Sequence, residues 1–164
     1  MRVAGCDFSS RFVDIVTVPF EGTGQPVWHR FPLVGADAFD RARSVADSVP
    51  GRSSVFYEDI LAVGIEHPAG KFGTGPLLRI QGAVLARIPA RMLVTPLPPS
   101  SWRKAVGLPG NASKDDVWMW VYDNCFAARN SDLIPPKQEW PQDARDAYCI
   151  ALATRSRIDR SEAA

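Results

Sequence analysis

No apolar run in the sequence approaches the ~18 residues needed to cross a membrane. The longest, such as Ile60 to Ile65, are far shorter, so a membrane-spanning helix is excluded and no membrane partner is expected. Cysteine is scarce. Cys6, Cys125 and Cys149 are odd in number and widely spaced, which suits neither a disulfide framework nor a zinc site and fits a reducing compartment. Met1 to Asp7 passes straight into a strand-like pattern, without the apolar h-region and cleavage site of a secretory signal. Together these absences set the expectation of a cytoplasmic protein, in a bacterium or an infected host cell. Internal repeats and low-complexity tracts are missing as well.

Acidic residues are absent from one long stretch. From Lys71 through Lys114 the chain carries Lys71, Arg79, Arg87, Arg91, Arg103, Lys104 and Lys114 but no Asp or Glu, so this segment holds +7 and the rest −6, against a net charge of +1. The net charge alone says nothing about nucleic acid. Its distribution has two readings: chance clustering on a solvated face, or a stripe that binds phosphates and gains from counterion release.

What is present is ordinary globular material. With 164 residues, 46% of them apolar and 23% charged, the chain is long enough for one domain with a real core. Only the polar end, residues 156–164, is expected to be disordered. Residues 2–8, 11–18 and 27–33 read as three strands joined by tight turns, with β-branched residues dense in the second. Apolar residues at helical spacing follow over 35–48, and Pro50-Gly51 closes that helix. Ile60 to Glu66 is apolar on both faces until Glu66, as a covered parallel strand would be. Helices are expected over 76–87, 101–106, from Ser113 onward and from Asp143 to Arg157, with a short strand over 92–95. Ser113 is a suitable N-cap with Asp115 and Asp116 in the first turn. In the 76–87 helix Leu77, Ile80, Val84 and Ile88 form one stripe, either core or a subunit interface. The sum is an α/β chain with a mixed five-stranded sheet flanked by helices.

Three places put carboxylates where a soluble fold normally avoids them. Asp7 ends the first strand in phase with Val3 and Gly5, Glu66 ends the most apolar strand, and Asp143 and Asp146 lie on the helix stripe continued by Ala147, Ile150 and Ala151. Each has an ordinary alternative: an Asx-turn at Asp7, a solvent exit at Glu66, a helix cap at Asp143. Jointly they suggest one pocket at the C-terminal ends of strands. Acids gathered there repel one another unless cations compensate them. Mg²⁺ meets that need with oxygen ligands, and a pair of such ions serves in-line phosphodiester displacement.

In three blocks, Val3-Ala-Gly-Cys-Asp7-Phe-Ser-Ser10, Ala62-Val-Gly-Ile-Glu66 and Asp143-Ala-Arg-Asp146 through Ala153, the sequence resembles the RuvC-like Holliday junction resolvases of the RNase H-like superfamily. Residues 75–90 resemble that family's dimer-forming helix, and Trp102 to Lys114 its DNA-facing, lysine-bearing segment. The resemblance spans residues 1–155 and implies an RNase H-like nuclease domain there. It implies a homodimeric endonuclease of DNA recombination and repair that cuts four-way junctions, or flaps and forks, with two Mg²⁺ ions per site (Mn²⁺ substituting) and no organic cofactor. Asp7 would bridge both ions, Glu66 and Asp143 would complete the two sites, and Asp146 would orient the attacking water. Lys114 and Lys104 would lie near the DNA backbone, with Lys71, Arg79 and Arg103 as further contacts and Phe72 as a branch-point wedge. The compact chain leans toward a phage member.

Gly70-Lys-Phe-Gly-Thr-Gly75 lacks the ending of a P-loop and reads as a substrate-facing loop or a plain turn. His67 follows Glu66 and points to the other face of its strand. Trp118, with Tyr122 one helical turn on, reads as core. Two rival functions remain at this level: a non-catalytic RNase H-like module that binds branched nucleic acid in a recombination complex, and a fragment of an actin-like sugar kinase. The kinase would need a second lobe that 164 residues cannot supply.

Overall fold

A computed structural model of the chain describes residues 1–22, 24–68, 74–126 and 140–162. β1 (Arg2–Phe8) and β2 (Phe12–Pro19) form an antiparallel hairpin in which Asp7 faces Asp14. Ser9 makes the turn, its Oγ accepting from the Phe12 backbone N–H at 3.2 Å. β3 (Val27–Pro32) pairs with the far side of β2. After α1 (Ala38–Ser48), β4 (Ile60–Glu66) returns parallel to β1, and β5 (Leu93–Leu97) adds a parallel edge after α2 (Thr74–Leu85). The mixed five-stranded sheet runs β3-β2-β1-β4-β5. β5 continues through Pro96, past the expected stop at Thr95, because an edge strand tolerates a missing N–H.

Central β1 is buried on both faces, hence its alternation-free sequence. One face packs on α3 (Pro99–Ala105), α4 (Lys114–Val121) and α5 (Gln142–Glu162), through Val3, Val16 and Ala62 against Trp102, Val117 and Ile150. The other packs on α1 and α2, through Ala4, Ile15 and Val63 against Val45, Ile80 and Val84. Each fully buried aliphatic side chain contributes roughly 1.5–3 kcal/mol. Ile80, Val84 and Ile88 are therefore core, with Leu77 packed against them. The outward face of α2 is instead Leu78, Gly82 and Leu85.

Local chemistry sets the helix starts. Asp37 caps α1, Oδ1 accepting from the Phe39 and Asp40 N–H groups at 2.7 and 3.0 Å, so the helix begins at Ala38 rather than near Gly35. Ser113 caps α4 in a reciprocal box with Asp116. Beyond α4 a π-turn, Tyr122–Phe126, that has no clear sequence signal brings Cys125 into the core.

α5 presses unusually close to the sheet. Gly5 and Gly64 sit side by side on β1 and β4. A Cβ on Gly5 would lie 1.9 Å from the Ala147 carbonyl oxygen, and one on Gly64 2.0 Å from Thr154 Oγ1. These two glycines form the notch in which α5 lies, and the notch brings the helix's acidic first turn to the end of β1. α5 extends to Glu162. The expectation of a disordered tail over 156–164 is thus corrected as far as Glu162, Ile158 being buried in the core.

Candidate active site

The four acids singled out in the sequence line one open cleft of about 540 Å³, together with Arg103 and Lys114. Asp7 reaches it from the end of β1 on the α5 side, in phase with Gly5. Glu66 reaches it from the end of β4, in phase with Gly64. Asp143 and Asp146 enter from the first turns of α5. The groove between α1 and α2 is larger, about 800 Å³, but mixes Asp40 and Asp47 with Arg43 and Arg87, so it gathers no charge of one sign.

Few donors satisfy these carboxylates. Asp7 is 6% exposed, and its Oδ1 accepts from the Phe8 backbone N–H at 2.8 Å. Glu66 Oε2 accepts from Trp102 Nε1 at 3.1 Å, while the Glu66 carbonyl oxygen accepts from Gln81 Nε2 at 2.8 Å. Asp146, 9% exposed, accepts at Oδ1 from Gln142 Nε2 at 2.7 Å, one turn earlier in α5. The protonation preferences follow. Burial, then repulsion from Glu66, Asp146 and Asp143, holds Asp7 well above the carboxylate range. Burial pushes Glu66 to about 7, against the opposing Trp102 hydrogen bond and the Arg103 charge. Burial likewise lifts Asp146 to about 6, opposed by Gln142 and Arg103. Bare charge on Asp7, Glu66 and Asp146 is thus costly in this cleft unless something positive compensates it.

The donor set suits a hard divalent ion. It is all carboxylate oxygen; Cys6 packs on the opposite face of the sheet, and exposed His67 stays off the cleft lining. Among the described residues, no group of three or more His, Cys, Asp or Glu side chains stands in an arrangement that could hold a metal ion as it is.

The basic residues divide. Arg103 and Lys114 line the cleft, with the Arg103 guanidinium 5.0 Å from the Trp102 ring. Lys104 is exposed beside Gly110, outside the lining. Arg79 stacks 4.4 Å over the Phe39 ring on the α1–α2 side. Lys71, Phe72 and most of the glycine-rich loop lie outside the described residues.

Sequence reasoning passed over several neighbours of the acids. Gln142 and Trp102 hold Asp146 and Glu66. Arg145, buried at 7% exposure with its guanidinium 5.0 Å from the Trp118 ring, lies between the two helical acids. Asp14 is fully buried under Arg30 and Trp28. Burial raises its carboxyl, the Arg30 and Trp28 hydrogen bonds lower it, and Asp143 raises it further. An acid in phase with Val16 and Val18 on a β-branched strand was the available signal.

A mixed sheet in the order 3-2-1-4-5, with acids delivered by its central strands and its last helix, is an RNase H-like fold. Solved structures place it more closely. The Thermus thermophilus RuvC structure matches at TM-score 0.65 and 21% identity, over 97% of this chain and 97% of that one. T. thermophilus RuvC in complex with a Holliday junction substrate matches at TM-score 0.65 and 20% identity, over 98% and 96%. The Fowlpox virus resolvase, in complex with its substrate Holliday junction DNA, matches at TM-score 0.54 and 13% identity, over 96% and 99%. At these identities the likeness is one of fold. No protein-family model and no curated protein matches the sequence.

Proposed function

We propose that this protein is a divalent-metal-dependent endonuclease that cuts branched DNA, four-way junctions first among them. The observation that carries the proposal is the convergence of Asp7, Glu66, Asp143 and Asp146 on one cleft with Arg103 and Lys114. The RuvC-like fold supports it, since two of the matched structures hold Holliday junction DNA.

Asp7, Glu66 and Asp143 would hold two Mg²⁺ ions or their Mn²⁺ substitutes, with substrate oxygens and water completing the shells. When bound, such ions supply Lewis acidity toward the phosphodiester and a water of lowered pKa. The protein's own groups do the rest. Trp102 and Gln142 fix the orientations of Glu66 and Asp146, so that Asp146 can orient the attacking water. Arg103 and Lys114 place positive charge at the rim, where a DNA backbone approaches a cleft it would otherwise be repelled from. Branched DNA is read largely by shape and backbone, which such a rim suffices to dock.

A four-way junction is nearly two-fold symmetric and requires two cuts, so the working form is a homodimer about a C2 axis. The outward face of α2, with exposed Leu78 and Leu85 flanking Gly82, is the surface available for it.

The test is incubation of the protein with labelled four-way, flap and linear duplex DNA in Mg²⁺ or EDTA. Cleavage confined to branched substrates and to Mg²⁺ is expected. Asp7→Asn should keep junction binding and lose cutting, and undiminished cutting by that variant would refute the assignment. Wild-type binding without any cleavage would instead identify a branched-DNA-binding module.

A further inference from the structure

Asp14 is an acid that the proposed chemistry leaves unused. It lies in β2 opposite Asp7, on the face that carries Val16 and Val18 toward α5, and its side chain is 0% exposed. Two side chains hold it with three hydrogen bonds. Trp28 Nε1 donates to Oδ1 at 2.7 Å, Arg30 Nε donates to Oδ1 at 2.9 Å, and the second Arg30 nitrogen donates to Oδ2 at 2.9 Å. Arg30 is itself pinned, its guanidinium 4.3 Å from the Phe12 ring and 5.5 Å from the Trp28 ring. Trp28 packs in turn on Trp140, ring centres 6.3 Å apart, two residues ahead of α5.

This arrangement has a direction. Arg30 sits on β3, one strand farther from the acids, and Asp14 stands between it and Asp7. The negative member of the pair is therefore the one nearer Asp7. Only the carboxylate of this pair is fully buried, Arg30 being 28% exposed, so the desolvation cost falls on Asp14, where an apolar residue of similar volume would serve the core as well or better. Packing alone does not account for it.

Resting on the reading of the cleft as a divalent-cation site, we propose that Asp14 is a positioning residue for that site: a fifth carboxylate, anchored by Arg30 and Trp28, whose charge strengthens the cleft's hold on divalent cations without touching them. The anchor keeps this charge a fixed distance behind Asp7, so that Asp14 adds to the field at the cleft and does not compete as a ligand.

The experiment is Mn²⁺ binding to the full chain without DNA, read from the electron paramagnetic resonance signal of free Mn²⁺. Asp14→Asn should weaken Mn²⁺ binding about five- to tenfold, the order expected of removing one charge on the neighbouring strand from a divalent ion in a water-like dielectric. Trp28→Phe removes a hydrogen bond from the same carboxylate but leaves its charge; it should lower the thermal midpoint and leave Mn²⁺ affinity within about twofold. If Asp14→Asn does not fold, the double variant Asp14→Asn with Arg30→Gln, which leaves no charge of the pair unpaired, should weaken Mn²⁺ binding in the same direction but by a smaller factor, because the lost Arg30 charge opposes the lost Asp14 charge from farther away. Unchanged Mn²⁺ affinity in either folded variant overturns the role of Asp14. A parallel Asp7→Asn measurement tests the underlying reading. Wild-type protein that binds no Mn²⁺, or Asp7→Asn that binds it equally well, overturns the cation site and this inference with it. Weakened binding by Asp7→Asn with unchanged binding by Asp14→Asn overturns this inference alone.

Discussion

Raising the pH from about 5 to 8 should destabilise this protein whenever divalent cations are absent. In the unfolded chain Glu66 and Asp146 titrate near their ordinary values, 4.5 and 3.8; in the folded protein burial moves them to about 7 and about 6. Between these limits the folded state binds more protons than the unfolded one, so stability falls as pH rises. The favourable contribution is complete below the unfolded values and lost as pH passes through 6 and 7. Between pH 5 and 8 about 2 units of the Glu66 displacement and about 1 unit of the Asp146 displacement are traversed, so at about 1.4 kcal/mol per unit they are worth about 2.5 and about 1.5 kcal/mol. Part of the Glu66 displacement is repulsion from Asp146, which brings the joint effect to about 3–4 kcal/mol. Urea unfolding in EDTA at pH 5, 6, 7 and 8 measures it. His29, whose pKa burial lowers, works in the opposite sense, so Glu66→Gln is the needed comparison: it should flatten the fall by about half. Millimolar Mg²⁺ should restore stability at pH 8 and do little at pH 5, since it competes with protons for the same oxygens. A wild-type profile that is flat or rises with pH in EDTA, or a Glu66→Gln profile parallel to it, would refute the reasoning.

Three further outcomes test separate parts of the structure. Gly5→Ala places a Cβ 1.9 Å from the Ala147 carbonyl oxygen and 2.4 Å from the Ala151 nitrogen; α5 must move away, and a loss of about 3 kcal/mol or more in urea unfolding is expected. Lys114→Ala, at an exposed position, should leave stability unchanged and reduce the slope of log binding constant against log salt for junction DNA by about 1; an unchanged slope removes Lys114 from the interface. Leu78→Glu, on the outward face of α2, should convert a dimer to a folded monomer in sedimentation experiments, and a wild-type protein that sediments as a monomer would refute the dimer.

The elements whose periodicity is set by burial were legible in the sequence. β4 read as a covered strand because both its faces meet helices, and Ser113 read as a cap because the capping box is chemistry between residues three apart. The acids stood out because each interrupts an apolar pattern, at Asp7, Glu66 and Asp146. The stripe on α2 was correctly periodic, but periodicity reports burial and not the identity of what covers it; Leu77, Ile80, Val84 and Ile88 turned out to meet the sheet. The end of α5 was misjudged because its polar composition masks Ile158, which is buried in the core.

By itself, then, the amino-acid order determined the sheet-and-helix alternation, the buried faces and which carboxylates were out of place, since all three depend on near neighbours along the chain. Only the tertiary structure decided that residues 7, 66, 143 and 146 share a cleft, that α5 is seated on Gly5 and Gly64, and that Asp14 lies behind Asp7 under Arg30. These depend on strand order and on the depth of helix packing, which join residues far apart in sequence and leave no local pattern.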